Sequence, residues 1–273
     1  MHAFLLLVHT DPALCGLLTG RLAVTGPVFV HVDARADEDP FRKACPQAVF
    51  VQNRVRVRWG GWGQTEATLR LIETALTEPE VRRVSLLSGQ HYPIVPDARL
   101  TPGPLTDRIA ALPAPDPARG KPESRFTERF LAAGRPGSAS AVLAAGIGRR
   151  LPALDPAQAL GGRRLFAGSP YFSLTRSTAA QVVAAARTDA ALRRYFRAVV
   201  SSDEAFFHTV VGNLDGVHLD TRGTTYATWS GGRHPQPLTP GDLEPAAAEG
   251  FLYARKFSSA DQALLHAAQA LAE

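Results

Sequence analysis

Short apolar runs that end on polar residues alternate along this chain with stretches of helical periodicity. Ala3–Val8 (AFLLLV) is unbroken by polar residues and closes on His9-Thr10-Asp11-Pro12, the pattern of a strand buried on both faces. A helical stretch follows over about 13–22. Pro27–Asp33 reads as a second strand and Val49–Val57 as a third. Val81–Leu87 reads as a fourth, ending at Ser88-Gly89-Gln90. Between the last two, Ala67, Leu69, Leu71, Ile72, Ala75 and Leu76 recur at helical spacing and predict a helix over Thr65–Leu76. Strand and helix in alternation predict an α/β fold with a mostly parallel, Rossmann-like central sheet flanked by helices. In such sheets ligands sit beyond the carboxyl ends of the strands, here His9–Asp11, His31–Asp33 and Ser88–His91.

The pattern changes over Leu100–Arg164, which is rich in Pro, Gly, Ala and Arg. It predicts a long loop-rich insertion over the sheet, of a length suited to a lid or an acceptor-binding segment, within a single domain spanning 1–273. Periodicity returns with a strand at Tyr171–Leu174, a helix over about 178–186, another starting near Ser202, and an Ala/Leu-rich helix over Ala260–Ala272. No internal repeat is visible.

With 273 residues and 45% apolar content the chain can bury one sizeable core. The formal net charge is +5, nearly all of it arginine, because Lys43, Lys121 and Lys256 are the only lysines. Ala, Gly, Pro and Arg are abundant together, which fits GC-rich coding, so the total charge is assigned to composition and only individual cations to function. No basic-aromatic stripe accompanies the charge, and no nucleic-acid partner is expected. Cys15 and Cys45 are the only cysteines, too few for a disulfide framework or a zinc set. No stretch reaches the length of a membrane span or the form of a signal peptide, and a cytoplasmic protein is expected.

Four groups of residues carry chemistry. In Ser201-Ser-Asp-Glu-Ala-Phe-Phe-His-Thr209, Ser202 or Asp203 suits a helix cap and the acids suit its positive end. A carboxylate there also points where a substrate can approach. Glu204 and His208 stand at i and i+4, but two ligands without a third make a poor metal site, and a packed histidine is the better expectation. Asp37-Glu38-Asp39 matches an Asp-x-Asp pattern, which in many sugar-nucleotide enzymes carries a divalent metal, but so short an acidic match is unspecific and a solvated loop is the better expectation. Arg255-Lys256, between Tyr253 and Phe257, reads either as a solvated helix end or as a fork and a point charge for a diphosphate.

Taken in order, several segments resemble the core-2/I-branching β-1,6-N-acetylglucosaminyltransferase family and its relatives, the peptide O-xylosyltransferases. They are Val30-His-Val-Asp33, Trp59-Gly-Gly61 with Ala67-Thr-Leu69, Leu86-Leu-Ser-Gly-Gln-His-Tyr-Pro-Ile94, Gly168-Ser-Pro-Tyr-Phe172, Ser202-Asp-Glu-Ala-Phe-Phe-His-Thr209, Trp229 with His234-Pro235, and Tyr253-Ala-Arg-Lys-Phe257. The resemblance covers nearly the whole chain except Leu100–Arg164. It implies a GT-A-type fold and an inverting, metal-independent transfer from a UDP-sugar to an acceptor hydroxyl, as in a bacterial-type member. UDP-GlcNAc is the first choice of donor and UDP-xylose the second. By the same resemblance Glu204 is the general base, Arg255 and Lys256 take the place of a metal at the diphosphate, Asp33 and His91 lie at the donor, and Trp229 lies at the acceptor.

Two features depart from the family. His91 stands where the Ser-Gly-x-Asp-Tyr-Pro pattern has Asp, and the membrane anchor and luminal cysteines of the animal enzymes are missing. The expected acceptor is therefore a glycan or a small-molecule natural product rather than a secreted glycoprotein. The chemistry asks for these residue types. A sugar hydroxyl needs a carboxylate to take its proton as the bond forms, and the departing diphosphate needs fixed positive charge. An apolar frame of Phe206, Phe207, Tyr253 and Phe257 is expected to hold both groups. The alternative is a protein of the same fold that binds a nucleotide sugar or glycan without turnover.

Overall fold

The computed structural model describes residues 1–101, 103, 105–134, 136–229 and 235–271. The strands among them are β1 (His2–Val8), β2 (Val28–Val32), β3 (Val49–Phe50), β4 (Arg83–Ser88), β5 (His91–Pro93), β6 (Thr106–Ile109), β7 (Leu112–Pro113), β8 (Phe166–Ala167), β9 (Phe172–Thr175), β10 (His218–Asp220), β11 (Thr225–Tyr226) and β12 (Tyr253–Arg255). The helices are α1 (Pro12–Ala23), α2 (Asp39–Ala44), α3 (Gly63–Leu76), α4 (Ser124–Thr127), α5 (Ala139–Arg150), α6 (Pro156–Leu160), α7 (Arg176–Thr188), α8 (Ala190–Ala198), α9 (Phe206–Gly212), α10 (Leu243–Ala248) and α11 (Gln262–Ala270).

The central sheet has the order β10-β6-β9-β4-β1-β2-β3. β1 pairs in parallel with β2 (Leu6 opposite Val30) and with β4 (Leu5 opposite Leu86). β9 is antiparallel to both β4 and β6, and β10 is parallel to β6, so β9 alone runs against the others. The apolar run of β1 is continuous because both its faces are covered. Ala3 and Leu5, with Phe29, Val84 and Leu86, face a core built with α3, α7, α8 and α9. Phe4, Leu6 and Val8, with Val28, Val30 and Leu87, face a second core built with α1, α10 and α11. Each fully buried leucine in these layers contributes about 1.5–3 kcal/mol relative to exposure.

The expected strand over Val49–Val57 is confined to β3 and Val51, whose N–H donates to the Val30 carbonyl. Beyond it Arg54, Val55, Arg56, Val57 and Arg58 do not pair as a strand. The chain instead crosses the ends of the parallel strands, where the N–H of Val55 donates to His31 and that of Val57 to Asp33. The helix α8, not anticipated from the sequence, is capped by Asp189, which accepts from the Leu192 N–H, and buries Leu192, Tyr195 and Phe196 on one face.

The segment 100–164 is more ordered than a loop-rich insertion. β6 completes the central sheet between β9 and β10, held by buried Asp107, which accepts from the Thr175 N–H and the Thr178 hydroxyl. α4, α5 and α6 follow within the same segment. Asp107 and the apolar Ile109 and Ala111 were the signals of a strand, obscured by the surrounding prolines.

A small sheet of order β11-β12-β5 packs at the end of the large one. β12 is antiparallel to β5, placing Arg255 opposite His91, and parallel to β11. The Phe257 N–H donates to the Gln90 carbonyl at 2.9 Å, and the Ser259 N–H donates to Asp11 at 2.8 Å. These bonds hold the segment after β12 against the carboxyl ends of β1 and β4.

Candidate active site

Where β1, β2 and β4 end, a cleft opens, lined among others by His31, Asp33, Gln64, Ser88, Tyr171 and Arg255. The position follows from the topology, since parallel strands leave a crevice at their carboxyl ends. Asp33 is buried and accepts from the guanidinium of Arg35 at 2.8 Å and from the backbone N–H groups of Arg35 and Val57. Burial pushes its carboxyl up, but these bonds and the Arg35 charge outweigh burial and hold it below the ordinary carboxylate range. The Nε2 of His31 accepts from the Val55 N–H at 2.8 Å, which leaves the hydrogen on Nδ1. Burial lowers its pKa to about 4, so it is neutral.

Arg255 reaches the cleft from the end of β12. Its guanidinium lies over the Tyr171 ring at 5.0 Å from the centroid, and its Nε is buried with no hydrogen-bond partner. No acidic side chain pairs with it among the described residues. Lys256 beside it is half-buried, and its pKa is lowered by burial and by the Arg255 charge. Two adjacent cations, partly desolvated and unneutralised, favour an anion in the space before them.

His91 is fully buried below this cleft rather than lining it. Its Nδ1 accepts from the Ser88 N–H at 3.1 Å and contacts the Ser88 hydroxyl at 2.8 Å, while Nε2–H donates to the Thr225 hydroxyl at 3.2 Å. Burial and then the Arg255 charge keep its pKa well below the ordinary value. A neutral histidine is thus compatible with the neighbouring guanidinium, and it ties β4, β5 and β11 together under Arg255.

Glu204 does not itself line this cleft; its neighbour Asp203 reaches the cleft-lining Gln64. Ser202–Glu204 is a 3₁₀ turn and α9 begins only at Phe206, so Glu204 is not on the first turn of a continuous helix. Nor do Ser202 and Asp203 cap that helix. The Ser202 hydroxyl bonds the Thr65 hydroxyl at 2.8 Å, and Asp203 accepts from the Gln64 side-chain amide at 2.9 Å. Both partners lie at the start of α3, and Gln64 also lines the cleft, so one side chain links it to the Ser202–Glu204 turn. The Glu204 carboxylate is ion-paired with Lys121 and, at 2.8 Å, with Arg125. Burial pushes Glu204 up, but these two cations hold it below the ordinary range, whereas burial and the Glu204 charge push Asp203 up to about 7.

Lys121 and Arg125 escaped the sequence reading because they fall in 100–164, where regular patterning is weak. Gln64 and Thr65 were readable only as the beginning of a helix. His208 is packed and hydrogen-bonded, its Nε2–H donating to the Ser169 carbonyl at 2.7 Å. Trp229 is exposed beyond β11, and the neighbouring His234 lies outside the described residues. Asp37 and Asp39 are on the surface near the start of α2, and Glu38 pairs with Arg42 and Arg54. Among the described residues no three His, Cys, Asp or Glu side chains are grouped to hold a metal ion.

The expected single aromatic frame is in fact two. Phe206 and Phe207 belong to the core under α3, and Tyr253 and Phe257 to the core on the opposite face of the sheet. The chain that carries Glu204 and the chain that carries Arg255 therefore pack into different layers, with the Arg255 guanidinium reaching Tyr171 of the first.

A mostly parallel seven-stranded sheet with one reversed strand, flanked by helices and with a cleft at its carboxyl ends, is consistent with a GT-A-type glycosyltransferase, an enzyme class that takes a nucleotide-sugar donor and an acceptor. The family model described as Core-2/I-Branching enzyme matches residues 3–101 and 152–249, and the chain belongs to that family. The matched stretches include Asp33, Gln64, His91, Asp203, Glu204 and Trp229. They stop short of Lys121, Arg125, Arg255 and Lys256. No curated protein matches the chain. Among the described residues no helix is long and apolar enough to cross a membrane.

Proposed function

We propose that the enzyme transfers a sugar from a UDP-sugar to an acceptor hydroxyl with inversion at the anomeric carbon and without a metal ion. The observation that carries this reading is Arg255, a cation at the cleft with a buried, unpartnered Nε and no acidic neighbour among the described residues. Arg255 and Lys256 take the diphosphate, stabilising the charge that grows as UDP leaves. Asp33, which lines the same cleft, contacts the nucleotide. His91 acts from beneath, by fixing the β4–β5 turn against β11. Glu204 accepts the acceptor's proton as the acceptor oxygen attacks C1, with Trp229 on the acceptor side. The family favours GlcNAc as the transferred sugar, with xylose second.

UDP release is the direct test, with UDP-GlcNAc and UDP-xylose offered to saccharide and natural-product acceptors. Glu204→Gln keeps the size of the side chain and removes its basicity, so turnover should fall by more than ~100-fold while donor binding, read by thermal shift, persists. Near-normal turnover in this variant would remove Glu204 from the mechanism. One observation favours the second reading, a binding protein without turnover: Glu204 is held by two cations and so has reduced basicity. Donor-induced thermal stabilisation without UDP release from any donor–acceptor pair would support that reading.

A further inference from the structure

Helix α5 (Ala139–Arg150) is seated in an unusual way. Ser138 caps it, its hydroxyl accepting from the Ala141 N–H. Of its twelve residues only Ala144 and Gly148 are buried. A Cβ on Gly148 would lie 2.1 Å from the Arg129 carbonyl oxygen, so the helix rests on the backbone at Arg129 through a residue with no side chain. Its large apolar residues point elsewhere. Val142 is 63% exposed, Leu143 67% and Ile147 44%. Leu131 and Leu151, on the segments flanking the helix, are exposed as well. A helix normally buries such residues and shows its small and polar ones. Here the order is inverted, and a cluster of large exposed apolar side chains marks a contact surface.

The charge of the segment states what that contact must look like. Residues 129–154 contain four arginines, at 129, 135, 149 and 150, and no Asp or Glu. Arg149 and Arg150 are exposed at the end of α5. A second copy of the chain would bring the same cations against these, which like-charge repulsion disfavours. Nucleic acid would match the charge but leave Val142, Leu143 and Ile147 in water. A surface that is anionic outside and apolar just beneath satisfies both halves of the pattern. Insertion of an apolar helix face combined with basic residues at the headgroup level is how a helix too short to span lies on a membrane.

We propose that the 129–151 segment, centred on α5, docks the enzyme on an anionic lipid surface. Val142, Leu143 and Ile147 enter the acyl boundary, while Arg149 and Arg150 meet the headgroup phosphates. The segment falls in the stretch that the family model leaves unmatched, so this contact is a property of this chain and not one inherited from the family description. It is independent of the catalytic reading above.

Co-sedimentation of the full chain with vesicles tests the inference. Vesicles of phosphatidylcholine with phosphatidylglycerol should bind the protein at least about tenfold more strongly than phosphatidylcholine alone, and 0.5 M salt should erase the difference. The double variant Leu143→Glu with Ile147→Glu, and separately Arg149→Ala with Arg150→Ala, should each weaken binding to the anionic vesicles by about tenfold or more. All four side chains are exposed, so the melting temperatures should stay near that of the parent. Equal binding to both vesicle types, no binding, or full binding by both double variants overturns the proposal. So does self-association in lipid-free sedimentation velocity that the Leu143/Ile147 variant abolishes, which would give the surface to a second copy. Retention on polyglutamate without vesicle binding would give it to an acidic protein and equally overturn it.

Discussion

Arg255→Ala separates the diphosphate from the rest of the donor. In the parent the guanidinium stands at the cleft with its Nε buried and unpaired, and its nearest described partner is the face of Tyr171. On the proposed reading, bound UDP gives the group a phosphate oxygen to donate to. A hydrogen bond to a charged group contributes about 1.5–3 kcal/mol, and about 1.4 kcal/mol is a factor of ten in affinity. The variant should therefore bind UDP roughly ten- to 150-fold more weakly. Uridine lacks the diphosphate and should change by less than about threefold, because the variant loses no contact that uridine uses. Loss of the Tyr171 contact is worth about 0.5–1 kcal/mol, so folding stability should fall only slightly. Isothermal titration with UDP and uridine, on protein whose melting temperature has been measured first, gives both numbers. Arg255→Lys, which keeps the charge and loses the fork, should fall between parent and Ala. If UDP and uridine lose affinity equally in Arg255→Ala, the cation does not hold the diphosphate and the leaving-group assignment fails.

Two further outcomes are expected. Initial rates should be unchanged in millimolar EDTA, because Arg255 and Lys256 supply the positive charge a divalent ion would bring; a rate that collapses and returns with manganese or magnesium refutes the metal-free mechanism. Lys121→Met should move the acid limb of the kcat/KM profile to higher pH. Burial raises the Glu204 pKa and the charges of Lys121 and Arg125 lower it, with the cations prevailing; removing one raises it, and the base then protonates at a higher pH. A pH profile with its acid limb unmoved would show that Lys121 does not act on the base.

Much of the fold was legible because its core strands are extreme cases. The run Ala3–Val8 is apolar throughout and closed off by polar residues because the strand is covered on both faces. The helices over 65–76 and 178–186 showed their apolar stripes and were placed to within a few residues. Two kinds of element escaped. One was short and held by tertiary contacts: β6 has four residues, and Asp107 fixes it through partners more than sixty residues away. The other was masked by its neighbours: α8 shows the right spacing at Leu192, Tyr195 and Phe196, and Asp189 before it is an ordinary cap, but it follows α7 almost without a break. The site divides in the same way. Asp33, Glu204 and Arg255 stand in short motifs and could be picked out singly. The pairing of Glu204 with Lys121 and Arg125 spans about eighty residues, and no local pattern announces a contact of that kind.

The backbone around Glu204 gives a physical reason why this carboxylate stands clear of the α9 helix face. A helix continued backward from Phe206 through Ser202 would have laid Glu204 along the helix one turn before His208, on a face that is fully buried at that histidine. Instead Ser201 adopts a left-handed conformation with φ of 51°, which disfavours a residue with a Cβ by about 1–2 kcal/mol. Compensating bonds surround it. The Ser201 N–H donates to the Gly60 carbonyl at 2.7 Å, Ser202 bonds Thr65, and Asp203 accepts from Gln64. The Glu204 carbonyl in turn accepts from the Gly168 N–H at 2.9 Å. Three consecutive residues are thus anchored by backbone or side chain to the Gly60–Thr65 stretch, and the fourth to the loop before β9. Glu204 is left with its backbone fixed and its side chain free to meet groups supplied from outside this framework, which in the resting protein are Lys121 and Arg125. Arg255 comes from β12, whose Tyr253 and Ala254 pack in the opposite layer, but its guanidinium lies over Tyr171 of the same core as Phe206 and Phe207. On the proposed mechanism, a substitution at Gln64, which lines the cleft and bonds Asp203, or at Tyr171, which lies under Arg255 and ends the loop that carries Gly168, should disturb both steps.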